Sequence, residues 1–254
     1  MANTFARVYF PAFGDDSQLV DLLKLMCAHK DLTPERVDEC EPIRRPFDVA
    51  NVQDIASKLF LAPSFLWKSR GGIARGSVYL REGRRRKTSS LSMWINLERL
   101  EDFTGLMQVM CEAAGKFGSH YGYLHYLSEP EIVKGRQSGA IIGLPPKAPY
   151  LLNVTRPKLI YCLPDLYWGN IFGPEYVALF GGRERVATAP AYVVWEVAPE
   201  TFYLQVSENI LDLGARHRAF DAMREQVKVH LGRDCFFDNE AGIHSNYRAP
   251  ALGW

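Results

Sequence analysis

The sequence predicts an α+β fold built mainly from antiparallel strands, with helices packed on one face of the sheet. Apolar and polar residues alternate in two pairs of runs, one pair within 77–97 and the other within 192–207. Such period-two alternation is typical of antiparallel strands with one wet face. A stretch with helical spacing of apolar residues follows each pair, which predicts two hairpin-plus-helix (ββα) units, near 73–117 and 190–231.

The first half of the chain begins with a predicted strand at Phe5–Phe10, followed by a helix that Asp15 or Asp16 caps. Residues 31–48 contain three prolines and six acids against three arginines, a composition that indicates a long surface loop. A second helix follows this loop. After the first pair of alternating runs, helical spacing predicts a third helix over about 101–116.

A proline-rich connection at 144–149 separates the two halves of the chain, because proline interrupts both helices and sheets. We therefore expect one domain over 1–254 with two α+β subdomains, 1–143 and 150–254. The apolar run Leu159–Leu163 in the second half predicts a further strand.

The composition restricts the classes of function that the chain can serve. Thirty basic residues oppose 29 acidic ones, so no global field draws the protein to nucleic acid or to an anionic membrane. No stretch approaches the roughly 20 apolar residues that span a bilayer, and the amino terminus has no secretory pattern. The five cysteines contain no C-x-x-C pair, which indicates reduced thiols in a cytoplasmic protein.

The sequence contains none of the motifs searched for metal, phosphate or nucleophile chemistry. It lacks H-E-x-x-H, the Walker pattern and G-x-S-x-G, so we predict no catalytic residue, no metal and no cofactor. Two alternatives stay open. The chain could be a hydrolase or transferase whose site is assembled from dispersed acids and histidines, or a nucleic-acid-binding module that uses the basic run Arg81–Lys87. We favour a solvated hairpin tip for that run.

One aromatic segment carries a family resemblance. The run W-G-N-I-F-G-P-E-Y-V-A-L-F-G at 168–181, followed by A-P-A-Y at 189–192 and Y-L-Q-V-S-E-N at 203–209, resembles the immunity protein 52 family. The resemblance covers about 165–232 well and the amino-terminal half in outline. Members of this family are small bacterial proteins encoded beside polymorphic toxins. The toxins often have a restriction-endonuclease-like fold and are delivered by type VI secretion.

The resemblance implies a non-catalytic cytoplasmic immunity protein that binds and neutralises a cognate toxin. The family has no catalytic residues to carry over, and the sequence does not indicate an oligomeric state. A nuclease toxin with a basic groove would be complemented by acidic surface, and aromatic side chains often anchor interfaces. The alternative for these positions is ordinary solvated surface or, for the aromatic residues, the core. The candidate toxin-binding residues are Asp38, Glu39, Glu41, Tyr167, Trp168, Glu196, Glu200, Glu208 and Asp212.

Overall fold

The computed structural model describes residues 4–82, 87–132, 154, 156–238 and 246–252. Its strands are β1 (Thr4–Pro11), β2 (Pro34–Asp38), β3 (Arg45–Pro46), β4 (Ser64–Ser69), β5 (Ala74–Glu82), β6 (Thr88–Ile95), β7 (Tyr121–Tyr126), β8 (Gly169–Phe172), β9 (Val193–Ala198) and β10 (Thr201–Gln205). Its helices are α1 (Asp16–Cys27), α2 (Val52–Leu59), α3 (Phe103–Phe117), α4 (Arg156–Leu159), α5 (Pro174–Leu179), α6 (Arg183–Ala187), α7 (Asp212–Ala215) and α8 (His217–Leu231).

The chain divides into two compact units, residues 1–122 and residues 123–253. The predicted connection at 144–149 lies outside the described residues, so the predicted subdomain boundary stays a prediction. None of the helices within the described ranges is both long enough and apolar enough to cross a membrane.

The first unit contains an antiparallel sheet with the strand order β3-β2-β4-β5-β6-β1. On one face, Val78 of β5, Leu91 of β6 and Val8 of β1 form a cross-strand row, and all three are fully buried. Rows of β-branched and aliphatic side chains of this kind stabilise neighbouring strands through cross-strand packing.

Three helices accompany this sheet, and α1 packs against both α2 and α3, while α3 also packs on β1. Asp15 begins α1 as predicted, because its carboxylate accepts the backbone N–H groups of Ser17 and Gln18. Burial of the apolar side of α1 and α3, together with an aromatic cluster of Phe10, Phe13 and Phe117, forms the core of the unit.

The prediction of one long loop over 31–48 is wrong in part. Pro34–Asp38 forms β2, which pairs with β4 on one side and with β3 on the other. Strand β4 was not predicted, although its alternate residues Phe65 and Trp67 are fully buried. The prolines are tolerated because Pro34 begins its strand and Pro46 lies on the outermost one, where a missing N–H is not needed.

The wet face predicted for β6 is also wrong. Ser90 and Ser92 of that face are buried, and the Ser90 hydroxyl accepts a hydrogen bond from Arg7 at 2.9 Å. Ser89 on the opposite face is buried too, and its hydroxyl accepts the backbone N–H of Phe13 at 2.9 Å while donating to the carbonyl of Leu80 at 2.7 Å. Small hydroxyl side chains satisfy local backbone groups within a covered sheet, so a polar residue in a strand does not by itself mark the solvent side.

The second unit contains the strand order β7-β8-β10-β9, with β10 antiparallel to both of its neighbours. The motif at 168–181 forms β8, a tight connection and α5. Gly169 in this motif lies against Tyr203, whose hydroxyl oxygen would be 2.9 Å from a Cβ at that position. The Asn170 side chain holds the preceding loop by accepting the Tyr167 N–H and donating to the Tyr167 carbonyl. Pro174 occupies the first turn of α5, where its missing N–H has no partner to lose.

Leu159–Leu163 is not a strand, contrary to the prediction. Leu159 ends α4, and Cys162 donates its N–H to the carbonyl of Lys158, so the apolar run continues from the helix into a turn. Only Leu163 makes a strand-like contact, an isolated parallel bridge to Phe236. A short apolar run has no periodicity that separates strand from helix, so its partners decide its conformation.

The mixed helices and antiparallel strands confirm the predicted α+β class. The two predicted hairpins are β5–β6 and β9–β10, and a helix follows each of them in chain order. The hairpin-plus-helix unit as a packed unit, with helices on one sheet face, stays a prediction.

Candidate functional site

The second unit buries a group of charged side chains around Arg224 of α8, which we call the Arg224 cluster. It consists of Arg224, His125, Glu131, Asp165, His217, Asp221, Glu225 and Lys228. The guanidinium of Arg224 is fully buried and lies 2.8 Å from Glu131 Oε1 and 3.5 Å from Asp165 Oδ2, and it also contacts the carboxylate of Asp221.

His125 of β7 completes the environment of Glu131. Its Nε2 lies 3.0 Å from Glu131 Oε2, and its Nδ1 accepts the backbone N–H of Trp168 at 3.3 Å. Because Nδ1 acts as an acceptor, the hydrogen-bond pattern assigns the ring proton to Nε2, which donates to the carboxylate. The fully buried Glu131 therefore has His125 at Oε2 and accepts hydrogen bonds from Arg224 on both oxygens, at 2.8 Å on Oε1 and 3.4 Å on Oε2.

These contacts set the protonation of the cluster. Burial by itself would raise the pKa of Glu131, but the Arg224 charge and the His125 hydrogen bond outweigh it and hold the pKa well below its usual value. Burial would lower the pKa of Arg224, but the charges of Asp165, Glu131 and Asp221 raise it above its usual range. Both groups are therefore charged at neutral pH, which suits a closed ion-pair network.

Three members of the Arg224 cluster could in principle offer ligand atoms to a metal ion. Atoms of Glu131, His217 and Asp221 lie within 4.8 Å of one another. However, His217 directs Nδ1 toward Glu131 at 3.5 Å and Nε2 toward Asp221 at 3.4 Å, and both carboxylates already bind Arg224. A divalent cation would compete with that guanidinium for the same oxygens, so the donor set fits an ion-pair network better than a metal.

The predicted acids of the first unit lie at the end of β2 and in the segment after it. Asp38 is half-buried, and the backbone N–H of Arg44 is the main cause that lowers its pKa. The guanidinium of Arg45 lies 3.9 Å from Asp38 and 4.0 Å from Glu39, so the chain itself offsets part of this acidic charge. Glu41 is exposed.

Glu41 also lines a cavity of about 230 Å³ on the sheet of the first unit. Arg75 is exposed and Trp94 is half-exposed beside it, and Ser77 and Ser92 are cross-strand neighbours in the same lining. The lining mixes one acid, one base and apolar walls, a combination that does not select one class of ligand.

The predicted acids of the second unit lie around the β9–β10 hairpin and α7. Glu196 accepts two hydrogen bonds from Arg183, at 2.9 and 2.6 Å, and these bonds lower its pKa. Glu200 is exposed, and its backbone N–H donates to Glu196 at 3.0 Å, so the structure brings these two residues together. Glu208 is exposed too.

Asp212 is buried rather than part of an open acidic surface. Arg216 donates two hydrogen bonds to its carboxylate, at 2.9 and 3.0 Å, and thereby lowers its pKa. Because Asp212 is buried and paired in this way, its main role in this geometry is a helix-terminal contact within the chain.

Tyr167 and Trp168 lie in the core, with exposed fractions of 0% and 1%. The ring of Tyr167 stacks on that of Tyr123 with 4.4 Å between centroids. Their side chains offer no surface to a partner in this conformation, and their role in toxin binding stays a prediction. Aromatic residues that do reach the surface of the second unit include Tyr161, Tyr192 and Trp195, with exposed fractions of 68%, 51% and 40%.

Sequence reasoning missed the Arg224 cluster, although one signal was present. The apolar stripe of the last helix consists of Phe220, Val227 and Leu231, and the same helical spacing places Arg224 on this stripe. An arginine at a core position requires buried acids as partners, but the sequence could not name Glu131 and Asp165, which are distant along the chain.

Comparisons with known proteins add a fold relationship. No protein-family model and no curated protein matches the chain. Among solved structures, the Pseudomonas aeruginosa T6SS protein PA0821 matches with a TM-score of 0.59 and 13% identity, over 98% of this chain and 76% of that one. At this identity the likeness concerns the fold alone, and the resemblance to the immunity protein 52 family stays a prediction.

A second solved structure is the toxic C-terminal tip of CdiA from Pseudomonas aeruginosa in complex with an immune protein. It matches with 15% identity over 51% of this chain and 88% of that one. The TM-score of 0.25 is too low to indicate a shared fold.

Proposed function

We propose that this chain is a non-catalytic immunity protein that binds and neutralises a cognate toxin in the cytoplasm. The toxin would be a type VI effector with a nuclease-like fold. The observation that carries the proposal is the fold likeness to a T6SS protein over 98% of the chain. The sequence resemblance within 168–209 points to the same class of protein.

The chemistry of the Arg224 cluster supports a binding role over a catalytic one. Glu131, Asp165 and Arg224 are almost entirely buried and satisfy one another's charges. A general acid or base must reach the proton that it transfers, usually within about 3 Å. These groups instead resemble an internal network that holds β7, α8 and the loop before β8 together.

Co-expression of this chain with the toxin encoded beside its gene tests the proposal. We expect cells that express the toxin to survive when the chain is present, and the two proteins to co-purify. The matched control is the toxin with an inactivated catalytic residue, which should bind equally well without killing. Continued cell death together with no co-purification would contradict the proposal.

A hydrolase or transferase is the second candidate, and one observation favours it. The Arg224 cluster brings together two histidines and several acids from distant segments, and His217 at its edge is partly exposed. If the chain were such an enzyme, His217→Ala would abolish a measured turnover while leaving the unfolding temperature nearly unchanged. If the wild-type protein shows no turnover and His217→Ala only lowers the unfolding temperature, this candidate is excluded.

Nucleic-acid binding through Arg81–Lys87 is the other alternative that the sequence left open, and a solvated hairpin tip stays the favoured prediction for that run. Arg81 stacks on the ring of Phe60 at 4.6 Å, and residues 83–86 at the centre of the basic run lie outside the described residues. The discriminating experiment neutralises Arg84, Arg85 and Arg86 together, because any binding that persists unchanged would not depend on that run.

A further inference from the structure

Strand β9 forms the outer edge of the sheet in the second unit. It pairs with β10 on one side, and within the described residues no strand lies on its other side. Its sequence, VVWEVA, is rich in β-branched and aromatic residues and contains no lysine or proline. Proteins often protect edge strands with lysine, proline or a β-bulge. The register of β9 shifts only beyond Glu196, so Val193–Glu196 is a regular stretch of edge that is suited to pairing with another chain.

The hydrogen-bond pattern of β10 shows which backbone groups of β9 point outward. Val206, just after β10, donates its N–H to the carbonyl of Trp168, and the Leu204 carbonyl accepts a hydrogen bond from Asn170 in β8. Successive residues in a strand point their backbone groups to opposite sides. Positions 202, 204 and 206 therefore face β8, and positions 203 and 205 face β9.

The same alternation applies to β9. Tyr203 and Gln205 are opposite Trp195 and Val193, so the backbone groups of those two β9 residues point toward β10. Val194 lies between them, and its N–H and C=O point away from the sheet. Glu196 lies opposite position 202, so its N–H and C=O also point away from the sheet. The open edge thus presents two adjacent sets of donors and acceptors.

The side chains around this edge define the kind of segment that would fit it. Val193 and Trp195 share one face of β9, and Trp195 is 40% exposed while its ring lies 4.5 Å from that of Tyr203. An added strand would cover this apolar face with apolar side chains. The other face carries Glu196, whose charge Arg183 partly offsets.

The charge of the hairpin favours a basic partner over a second copy of this chain. Residues 193–205 contain two acids, Glu196 and Glu200, and no basic residue. Two copies of β9 paired with each other would bring acids together with no cation within either strand. A segment with alternating apolar and basic residues would complement both faces.

We propose that the free edge of β9 binds an extended segment of the toxin as an added antiparallel or parallel strand. That segment alternates apolar residues over Trp195 with basic residues near Glu196 and Glu200. This inference rests on the proposed function. Main-chain hydrogen bonds to Val194 and Glu196 supply the affinity, and the alternating side chains supply the specificity.

The test compares Val194→Pro with Val194→Ala in binding to the purified toxin encoded beside this gene. Proline removes the outward N–H and leaves the β9–β10 hydrogen bonds in place, whereas alanine keeps that N–H and shortens the side chain. We expect Val194→Pro to weaken binding about tenfold relative to Val194→Ala. Equal binding by the two variants would overturn the proposal.

Hydrogen exchange on the wild-type protein keeps the test independent of whether Val194→Pro folds. We expect the amides of Val194 and Glu196 to exchange fast in the free protein and to become protected in the toxin complex. The amides of Val193 and Trp195 serve as the control, because their bonds to β10 protect them in both states. A complex without new protection at Val194 overturns the proposal.

The remaining outcomes separate this inference from the proposed function. If the wild-type protein does not bind the toxin, both fail. If it binds but the edge amides and Val194→Pro show no effect, the function stands and the edge proposal fails. If the edge amides become protected with rising concentration of the protein alone, a second copy occupies the edge, and the assignment to a toxin segment is overturned.

Discussion

Arg224 shows how one buried charge constrains the second unit. Its guanidinium contacts Glu131, Asp165 and Asp221, so it joins α8 to residues that lie before and after the 133–153 segment. A buried ion pair contributes little net stability compared with an apolar substitute, but removal of one partner leaves an uncompensated charge. Arg224 is therefore important because it neutralises buried acids, more than because it adds net stability.

Arg224→Met tests this role. We expect the substitution to lower the free energy of unfolding by about 3–5 kcal/mol, because Glu131 would stay buried without its cation, while Asp165 would keep Lys228 alone. Urea unfolding followed by circular dichroism measures the change. Arg218→Ala on the same helix is the matched control, since that residue is exposed and should change stability by less than about 0.5 kcal/mol. Equal effects of the two substitutions would contradict the ion-pair account.

Glu131 predicts a dependence of stability on acid pH. Its pKa in the folded protein lies below the ordinary value of 4.5, so the folded state favours the charged form more than the unfolded state does. The stabilisation that the charged Glu131 gives the folded state is fully present above pH 4.5 and is lost as the pH falls toward the folded pKa. The stability difference between wild type and Glu131→Gln should therefore shrink on acidification, and a difference that grew would contradict the assignment.

Among the elements, strands β5 and β6 approach each other closely at Gly76. Gly76 in β5 has no room for a side chain, because a Cβ at that position would overlap the backbone carbonyl oxygen of Ser92 in β6. A backbone atom in a paired strand cannot rotate away as a side chain can. The requirement for glycine at this position therefore comes from strand pairing and not from a turn.

Gly76→Ala should weaken the pairing of β5 with β6. We expect the free energy of unfolding to fall by about 1–3 kcal/mol, the usual range for overpacking, and the midpoint of thermal unfolding to fall with it. Gly14→Ala is the control, because the nearest atom to its new Cβ would be the flexible Gln18 side chain at 3.7 Å. If both variants melted at the wild-type temperature, the close approach would not be a constraint.

The elements that sequence reasoning predicted well are those whose pattern is local. The Asp15 cap of α1 and the third helix, predicted over about 101–116 and observed at Phe103–Phe117, follow from capping and helical periodicity, and the structure confirms them. Strand β2 escaped prediction because its stability comes from pairing with β4, 30 residues away in the sequence. The strand predicted at Leu159–Leu163 was wrong for the converse reason, since among the described residues no strand pairs along its length.

At the scale of the whole molecule, the five thiols bear on the prediction from the composition that the cysteines are reduced. All five cysteines are free, and they differ in accessibility. Cys40 is exposed, whereas Cys162 and Cys235 are buried. Burial raises the pKa of the Cys27 thiol to about 11 and that of Cys111 to about 12, so these thiols are poor nucleophiles near neutral pH.

Thiol labelling at pH 8 should therefore modify Cys40 quickly and the other four cysteines slowly. Denaturation should make all five reactive, without a prior reducing step. Mass spectrometry of the labelled protein counts the modified thiols and locates them. Rapid labelling of Cys162 or Cys235 in the folded protein would contradict their burial, and fewer than five reactive thiols after denaturation would reveal a disulfide.

The whole molecule also changes the meaning of the acidic patches. Counted along the sequence, the acids near 31–48 and around the second hairpin suggested two surfaces for a basic toxin. In the structure, Arg45 and Arg183 offset part of that charge, and Asp212 is buried against Arg216. Glu39 and Glu41 in the first unit, and Glu200 and Glu208 in the second, are exposed, and their role in toxin binding stays a prediction.

The sequence by itself determined the fold class, most helix positions and the resemblance to immunity proteins. These depend on periodicity, capping and a contiguous motif, all of which act within a few residues. Only the tertiary structure decided that Tyr167 and Trp168 are buried, that Arg224 gathers distant acids, and that β9 is the outermost strand among the described residues. Burial, charge pairing and strand neighbours depend on residues far apart in the chain, and no local pattern records which of them meet.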